Sequence, residues 1–295
     1  MSWYPPAPTL ATTLHTEMPA QFRRPEVTEW SRANKGGHPI DSFLEGPCFD
    51  EAGNLYVTDI PHGRLFRVTP DGVWSQVADY DGEPNGLARH KDGRLFIADY
   101  KNGILALDPT NGTISPVLSR RNGERFKGVN DLVFARNGDL YFTDQGQTGL
   151  HDPTGRVFRL RTDGRLDCLL DNGPSPNGLV LSDAEDVLFV AMTRDNSVWR
   201  LPLLGDGGVA KVGRFASFHG TSGPDGLAID PAGNLLVAHA SLGAVYVLGR
   251  QGEPIASIAS CRGTTVTNMT LGPHGGLFIT ESSSGSILYA DLPMV

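Results

Sequence analysis

The chain has 295 residues, of which 39% are hydrophobic, and it carries a formal net charge of −8. It contains no block of Lys or Arg, so the sequence does not predict a nucleic-acid-binding protein, and its acidic balance argues against docking on anionic membranes. The N-terminus lacks the basic start and apolar stretch of a signal peptide, and no apolar run reaches membrane-spanning length.

The three cysteines, Cys48, Cys168 and Cys261, lie far apart and form no C-x-x-C motif. This pattern favours free thiols in a reducing compartment over disulfides or metal ligands. Together with the N-terminus, it predicts a cytoplasmic protein. We expect a monomer or a small homo-oligomer that acts on a small molecule, without nucleic-acid or membrane partners.

The N-terminal part of the chain shows little periodicity. Residues 1–24 contain four prolines and are predicted to form an irregular lead-in. The segment PEVTEWSR at 25–32 alternates between apolar and polar residues, which predicts a strand. We expect residues 25–295 to form one domain, because no linker or shift in composition appears after residue 45.

From Glu45 onward the chain repeats a pattern of short β-rich phrases. The second phrase of each repeat is a hydrophobic strand after a turn, and it contains Leu55, Leu95, Leu140, Leu188, Leu235 or Leu277. A third phrase follows each, and several copies add a fourth β-like run after an Asp-Gly or Asn-Gly turn. Four short strands in each repeat of roughly 40–50 residues predict a β-propeller.

Six repeats predict six blades, but the sixth repeat has only three strands before residue 295. An N-terminal strand, assigned to residues 25–32, is expected to supply the missing strand and remove the open sheet edge. The predicted fold is therefore all-β: a six-bladed β-propeller with four-stranded blades, closed into a ring by an N-terminal strand.

One position at the start of each repeat always carries a side-chain oxygen. Its occupants are Glu45, Asn85, Asn130, Asn177, Asp225 and Asn268. The first strand of a propeller blade lines the central channel, so these side chains are expected to form a ring around the axis. Asn and Asp before Gly are also common turn formers, which is a sufficient account of any single copy but a weaker one of six aligned copies.

The oxygen donors of this ring suit a hard cation. Amides and carboxylates without thiolates favour Ca²⁺ first and then Mg²⁺ or Mn²⁺. Two carboxylates buried together would repel each other unless a cation or a proton compensated them. The ring is therefore predicted to hold one divalent ion, with Zn²⁺ or Fe²⁺ as further alternatives.

A second set of residues ends the second strand of each repeat, close to the start of the first strand. This set consists of Asp59, Asp99, Asp144, Met192, His239 and Glu281. Among them, Asp59, Asp144 and His239 are candidates for orienting the ring residues. Capping or bridging of loops is an equally good account of each one.

These phrases resemble those of the family that contains gluconolactonases, regucalcin (senescence marker protein) and luciferin-regenerating enzyme, a relative of squid diisopropyl fluorophosphatase. The resemblance runs from about residue 40 to the C-terminus and rests on EGP at 45–47, VND at 129–131, PNG at 176–178 and PDG at 224–226. It implies a six-bladed propeller with one catalytic divalent metal in the channel. The implied ligands are Glu45, Asn177 and Asp225, with Asn130 as a fourth ligand or a substrate contact. Asp225 would also be the general base or the nucleophile.

The chain departs from this family near the third blade. Regucalcin-like members carry an Arg two residues before the Asn, where this chain has Gly128 preceded by Lys127. Lys127 is therefore a candidate substrate contact in place of that Arg. The long loop at 145–155 is predicted to overhang the channel mouth, which makes Gln145, Gln147 and His151 further candidates.

The sequence thus predicts a metal-dependent lactonase that opens a small cyclic ester. The metal would act as a Lewis acid and Asp225 as the general base for water. Two alternatives stay open: hydrolysis of phosphoesters or organophosphates at the same metal site, and a propeller that binds without catalysis. No G-x-S-x-G, H-E-x-x-H or P-loop motif supports another hydrolase mechanism.

Overall fold

A computed structural model describes residues 6–292 of the chain, and it is nearly all β. Six antiparallel sheets surround a central channel as a six-bladed β-propeller, which confirms the fold predicted from the repeats. The first strand of each sheet contacts the first strand of the next, and the sixth contacts the first, so the innermost strands form a closed ring. Among the described residues, no helix is long and apolar enough to cross a bilayer.

Each blade contains four strands, ordered from the channel outward. Blade 1 consists of Leu44–Phe49, Leu55–Asp59, Arg64–Val68 and Trp74–Asp79. Blade 2 consists of Pro84–Arg89, Leu95–Asp99, Gly103–Asp108 and Thr113–Leu118. Blade 3 consists of Val129–Phe134, Leu140–Asp144, Gly155–Leu160 and Leu166–Gly173.

The other three blades follow the same plan. Blade 4 consists of Pro176–Leu181, Val187–Met192, Ser197–Pro202 and Gly213–Ser217. Blade 5 consists of Pro224–Ile229, Leu235–His239, Ala244–Leu248 and Pro254–Ala259. Blade 6 consists of Val266–Leu271, Leu277–Glu281, Ser286–Ala290 and the N-terminal strand Thr13–Glu17.

A few short elements lie outside this plan. The strand Thr9–Ala11 adds a fifth, parallel strand to blade 5. Arg120–Arg121 and Glu124–Arg125 form a small hairpin between blades 2 and 3. Helix α1 is Glu29–Asn34, and single 3₁₀ turns occur at Ala20–Phe22, Ile60–His62 and Thr193–Asp195.

The ring is closed by an N-terminal strand, but the strand assigned from the sequence was wrong. Thr13–Glu17 pairs antiparallel with Ser286–Ala290 and completes blade 6. Residues 25–32 instead contribute an isolated bridge at Glu26 and the start of α1. The first 24 residues are therefore not irregular throughout, since two strands lie within them. Pairing with the free edge of blade 6 therefore decides which N-terminal segment forms the strand, and the weak alternation of residues 25–32 does not.

Helix α1 begins at a capping box that the alternation pattern obscured. The Ser31 amide donates to Thr28 Oγ1 at 3.1 Å, and the Thr28 amide donates to Ser31 Oγ at 3.0 Å. These reciprocal bonds satisfy amide donors that a short helix leaves without partners. The helix ends at Asn34, and the amide of the next residue, Lys35, donates to the Ser31 carbonyl.

The hydrophobic core lies between neighbouring blades. Tyr56 and Leu65 of blade 1 pack with Leu87 and Ile97 of blade 2 in one cluster of buried side chains. The repeated leucines at positions 55, 95, 140, 188, 235 and 277 are all at most 2% exposed. Burial of one such residue in every blade stabilises the sheet stacking, and it explains why leucine marks the repeat. All three cysteines are free.

Candidate active site

The structure places the repeated oxygen-bearing position at one level of the channel in five blades. Glu45, Asn85, Asn130, Asn177 and Asp225 are each the second residue of the first strand of their blade. Pairing with the second strand is bulged at this position in all five blades: the irregularity begins directly after the ring residue in blade 1 and directly before it in blades 2 to 5. A bulge redirects side chains and is common beside active sites.

The sixth blade differs by one residue. The second residue of its first strand is Thr267, and Asn268 is the third. Asn268 therefore lies one position further along the channel than the other five members of the predicted ring. Thr267, which was not among the predicted ring residues, also carries a side-chain oxygen, and only the strand register separates the two residues.

Hydroxyl groups from preceding blades hold the backbone at this level. Thr58 Oγ1 donates to the Asn85 carbonyl, and Thr143 Oγ1 donates to the Asn177 carbonyl, both at 2.8 Å. Thr193 Oγ1 donates to the carbonyl of Pro224, next to the Asp225 amide, at 2.8 Å. Because each bond joins neighbouring blades, it fixes the ring residues relative to one another as well as to the sheet.

A small cavity of about 170 Å³ opens at this level of the channel. Its polar lining includes Glu45, Asn85, Asn130, Gln145, Asn177 and Asp225. The two carboxylates and the amides of Asn130 and Asn177 are all at most 8% exposed. The four residues predicted to bind metal therefore line one cavity, and Gln145 from the third blade lies beside them.

The amide of Asn130 has a defined orientation. Its Nδ2 donates to Gln145 Oε1 at 2.9 Å, and Gln145 Nε2 donates to Ser175 Oγ at 2.9 Å. Ser175 is buried, and its amide donates to Thr148 Oγ1 at 3.2 Å. This chain of hydrogen bonds fixes the Asn130 Nδ2 group and leaves the side-chain oxygen, Oδ1, available to a ligand.

The two carboxylates of the cavity are hard to ionise together. Burial raises the pKa of Glu45 to about 7, although the Gly46 amide donates to its Oε2 at 2.9 Å. Burial also raises the pKa of Asp225 well above its usual range, and the negative charges of Glu45 and Asp131 raise it further. A hydrogen bond from Asn177 and the charge of Lys35 act in the opposite direction. When both carboxylates are ionised, their negative charges are therefore not fully compensated, and a bound cation would stabilise the site.

Asp131 lies directly below this level and was not identified from the sequence. Burial, reinforced by the charge of Glu45, raises its pKa to about 8. Four other blades have glycine at this third position, at residues 46, 86, 178 and 226. A Cβ on Gly86 would lie 2.1 Å from Asp131 Oδ1. Asp131 could have been identified from the sequence because it replaces the glycine that four other repeats have at this position.

Asn268 occupies the same lower level as Asp131. Hydrogen bonding by its side chain lowers the pKa of both Glu45 and Asp131, which partly offsets the effect of burial. A Cβ on Gly226 would lie 2.1 Å from Asn268 Oδ1, so glycine there leaves room for the amide. Asn268 therefore links the two levels instead of completing the upper one.

Three of the predicted substrate contacts lie outside the lining of this cavity. Lys127 is exposed and its Nζ donates to Thr154 Oγ1. His151 is also exposed, in the long loop of blade 3. Gln147, from the same loop, donates to the Tyr100 hydroxyl at 3.2 Å and lines an adjoining polar pocket.

The residue that ends each second strand lies opposite the first residue of the first strand of its blade. Asp59 accepts from the Phe43 amide at 2.7 Å and from Arg64, and Asp144 accepts from the Gly128 amide at 2.8 Å and from Arg156. Both carboxylates thus fix the backbone just before a first strand.

His239 occupies the same position in blade 5. It is fully buried between Phe218 and Tyr246. Within the part of the chain that the structure describes, neither of its ring nitrogens has a hydrogen-bond partner. Its contacts are therefore those of a packed ring.

The cationic residues at the cavity mouth were not indicated by the sequence. Lys35, at the end of α1, and Arg194, in the 3₁₀ turn Thr193–Asp195, both line the cavity, together with Trp30. These residues lie outside the repeated phrases, and only the fold brings them over the channel. Within residues 6–292, no three His, Cys, Asp or Glu side chains form a metal-binding cluster, so amides are needed to complete an oxygen ligand set.

Fold and site together define a propeller with a polar, carboxylate-containing cavity at one end of its channel. A family model described as the SMP-30/Gluconolactonase/LRE-like region matches residues 43–283. Lactonase drp35 of Staphylococcus epidermidis is 34% identical over 227 residues, which cover 73% of this chain and 69% of the relative. The chain belongs to the SMP-30/gluconolactonase/LRE-like family, as the resemblance of its motifs predicted.

Further relatives agree with this placement. A gluconolactonase of Zymomonas mobilis is 32% identical over 273 residues, covering 81% of this chain and 76% of the relative. Among solved structures, a gluconolactonase of Xanthomonas campestris matches with a TM-score of 0.76 and 25% identity, covering 95% of this chain and 99% of the other. Regucalcin of Agrobacterium tumefaciens, described as a calcium-binding protein, matches with a TM-score of 0.74 and 20% identity, covering 96% and 95%. This last likeness concerns the fold alone.

Proposed function

We propose that this protein is a divalent-metal-dependent lactonase that hydrolyses a small cyclic ester. The observation that carries the proposal is the convergence of Glu45, Asn130, Asn177 and Asp225 on one buried cavity. Membership of a family with relatives named lactonase and gluconolactonase supports the reaction type. The alternatives of a phosphoester hydrolase and a non-catalytic scaffold have no comparable support.

The residues of the cavity fit a hard divalent cation. Burial raises the pKa of both Glu45 and Asp225, and the charge of Glu45 raises the pKa of Asp225 further, so a cation between the two carboxylates would relieve an electrostatic penalty. Asn177 adds an amide, and the hydrogen bond from Asn130 to Gln145 leaves the Asn130 oxygen free. All-oxygen ligands favour Ca²⁺ over softer metals. When bound, such an ion supplies Lewis acidity at the lactone carbonyl.

In this proposal the chain's own residues perform the proton chemistry. Asp225 accepts a proton from a water molecule as the water oxygen bonds to the carbonyl carbon. The ring C–O bond then breaks, and the proton passes to the leaving alkoxide, which gives a hydroxy acid. Asn130, held by Gln145, and Asn177 keep their positions during the reaction because each is buried and bonded. A fixed polar environment lowers the reorganisation needed to reach the transition state.

A metal-supplementation screen tests this proposal. The purified protein is stripped of metal and supplied with Ca²⁺, Mg²⁺, Mn²⁺ or Zn²⁺. Sugar, aliphatic and aromatic lactones are then offered, and acid release is followed with a pH indicator. We expect metal-dependent opening of at least one lactone class, with Ca²⁺ among the effective ions. Hydrolysis of phosphotriesters in the absence of any lactone hydrolysis would favour the phosphoester alternative instead.

A further inference from the structure

Two cationic side chains overhang the cavity from segments outside the repeats. Lys35 follows helix α1, and Arg194 lies in the turn between the second and third strands of blade 4. Both line the same cavity as Asp225. Within residues 6–292, neither side chain forms a salt bridge, whereas most arginines of the third blade do.

Lys35 is held in place by aromatic rings. Its Nζ lies 4.7 Å from the centre of the Phe43 ring and 5.8 Å from that of Trp30. Such contacts stabilise an ammonium group that is partly removed from water. Burial lowers the pKa of Lys35, the charge of Asp225 raises it, and the charge of Arg194 lowers it. The ammonium group of Lys35 therefore interacts electrostatically with both Asp225 and Arg194.

The charges of the site do not balance once a divalent ion is present. Glu45, Asp131 and Asp225 carry three negative charges when all are ionised, whereas a divalent cation, Lys35 and Arg194 together carry four positive charges. Lys35 and Arg194 then leave an excess of positive charge at the mouth, within reach of any ligand that occupies the cavity. A ligand with an anionic group of its own would restore the balance and form charge-assisted hydrogen bonds.

Resting on the proposed function, we propose that the preferred substrate is a lactone that carries a carboxylate or phosphate group, which Lys35 and Arg194 bind at the cavity mouth. The lactone carbonyl then lies at the level of Glu45, Asn130, Asn177 and Asp225, and the anionic group lies between the two cations. The cavity volume of about 170 Å³ limits the substrate to a compact ring. Of the two anionic groups, the smaller carboxylate is the one we expect.

Three lactones with the same ring test this inference. One is a neutral aldonolactone, one carries a carboxylate in place of the terminal hydroxymethyl group, and one carries a phosphate ester there. We expect the wild-type protein to prefer the carboxylate by about tenfold in kcat/KM, mainly through KM. This preference should decrease as salt is raised, because screening weakens exposed charge pairs.

Matched variants assign the preference to residues. Lys35→Met and Arg194→Met should each reduce the anionic-to-neutral ratio of kcat/KM by about tenfold. Lys91→Met is the control, because it removes the same charge from an exposed turn at the far end of a blade 2 strand. It should keep the wild-type ratio.

Several outcomes would overturn the inference. A wild-type protein that opens the neutral lactone as well as the charged ones, with a ratio unchanged in Lys35→Met and Arg194→Met, retains the proposed function but has no anion site. Variants that change only the metal affinity would show that the two cations balance Glu45 and Asp225 instead.

A binding measurement covers the case in which no lactone is opened. Calorimetry compares an aldarate dianion with the aldonate of the same length on wild type and Lys35→Met. Tighter aldarate binding that is lost in the variant supports the anion site even though the proposed function has failed. Equal binding of both acids by both proteins contradicts it.

Discussion

The two ends of the channel are lined by the same six strands and have opposite chemistry. At one end, Glu45, Asn130, Asn177 and Asp225 surround a polar cavity. At the other, the cavity of about 300 Å³ is lined mainly by aliphatic side chains. These side chains include Leu87, Leu132, Leu179, Leu227 and Met269. Only two positions along each strand separate the two kinds of lining.

This contrast shows how the fold both holds the polar residues in position and raises the pKa values of their carboxyl groups. The aliphatic residues belong to the hydrophobic clusters between blades, so the same strands that carry the proposed metal ligands are fixed by core packing. Burial within these strands is the largest cause of the raised pKa values of Glu45, Asp131 and Asp225. At the polar end, buried carboxylates are therefore costly to ionise, and they are carried by strands that the aliphatic core holds in place.

The largest effect is expected from neutralising the polar end. Asp225→Asn keeps the size of the side chain but removes the proton acceptor and a negatively charged ligand. We expect kcat/KM for lactone hydrolysis to fall by roughly 10³-fold. Asp163→Asn, in an exposed turn of blade 3, is the control and should retain wild-type activity. Retention of full activity by Asp225→Asn would remove it from the mechanism.

A smaller effect is expected where the polar end is held by its neighbours. Gln145→Leu removes the acceptor of the Asn130 amide, which can then rotate its nitrogen toward the cavity. We expect metal affinity and kcat/KM to fall by about tenfold, in line with other partners of metal ligands. Gln147→Leu, which breaks only the bond to Tyr100, should change both less.

The same assay addresses Lys127 and His151, two of the substrate contacts that the sequence predicts in this region. Lys127→Met and His151→Ala alter exposed side chains outside the cavity lining, so each should reduce kcat/KM less than Gln145→Leu does. A larger loss for either variant would show that the blade 3 loop reaches the substrate.

Packing between the two levels can be changed without touching a ligand. A Cβ on Gly86 would lie 2.1 Å from Asp131 Oδ1 and 2.8 Å from its Cα, so Gly86→Ala forces the adjacent strands apart. We expect the free energy of unfolding to fall by about 1–3 kcal/mol, measured by denaturant titration. Gly205→Ala is the control, because no atom lies within 4 Å of its added Cβ. Equal stability of the two variants would contradict the close packing.

The smallest effect concerns the pH dependence of the metal-free protein. The pKa of Glu45 is raised to about 7 in the folded chain, so its contribution to stability is present at low pH and is lost as the pH rises through 7. Asp225 and Asp131 shift in the same direction. The Tm of metal-free protein should therefore fall as pH rises through this range, and Ca²⁺ should restore it. Glu45→Gln should show a shallower fall, whereas a Tm that rises with pH would contradict the assignment.

The architecture could be predicted from the sequence because the repeated residues are the ones that pack between the blades and line the channel. One buried leucine per blade and one oxygen-bearing residue per first strand define the strand order and the side that faces the channel. The same periodicity could not resolve a one-residue difference in blade 6, where Thr267 and Asn268 are both polar. Register depends on pairing with Glu281 and Thr280, which a single strand does not reveal.

The residues that the sequence did not indicate lie outside the repeat or break its pattern. Lys35 and Arg194 reach the cavity through the placement of α1 and a 3₁₀ turn, which are long-range consequences of the fold. The prediction of a strand over residues 25–32 failed for a local reason, since the capping bonds of Thr28 and Ser31 favour a helix. Strand pairing was instead available to Thr13–Glu17 at the edge of blade 6.

The most direct test of the central claim is the amount of Ca²⁺ bound by the metal-depleted chain after equilibrium dialysis, measured by elemental analysis. The wild-type protein should bind one ion per chain at the polar end of the channel. The double variant Glu45→Gln/Asp225→Asn should bind none under the same conditions while retaining the wild-type circular dichroism spectrum. A wild-type protein that binds no divalent ion, or a double variant that binds as much as wild type, would contradict a metal site formed by these residues.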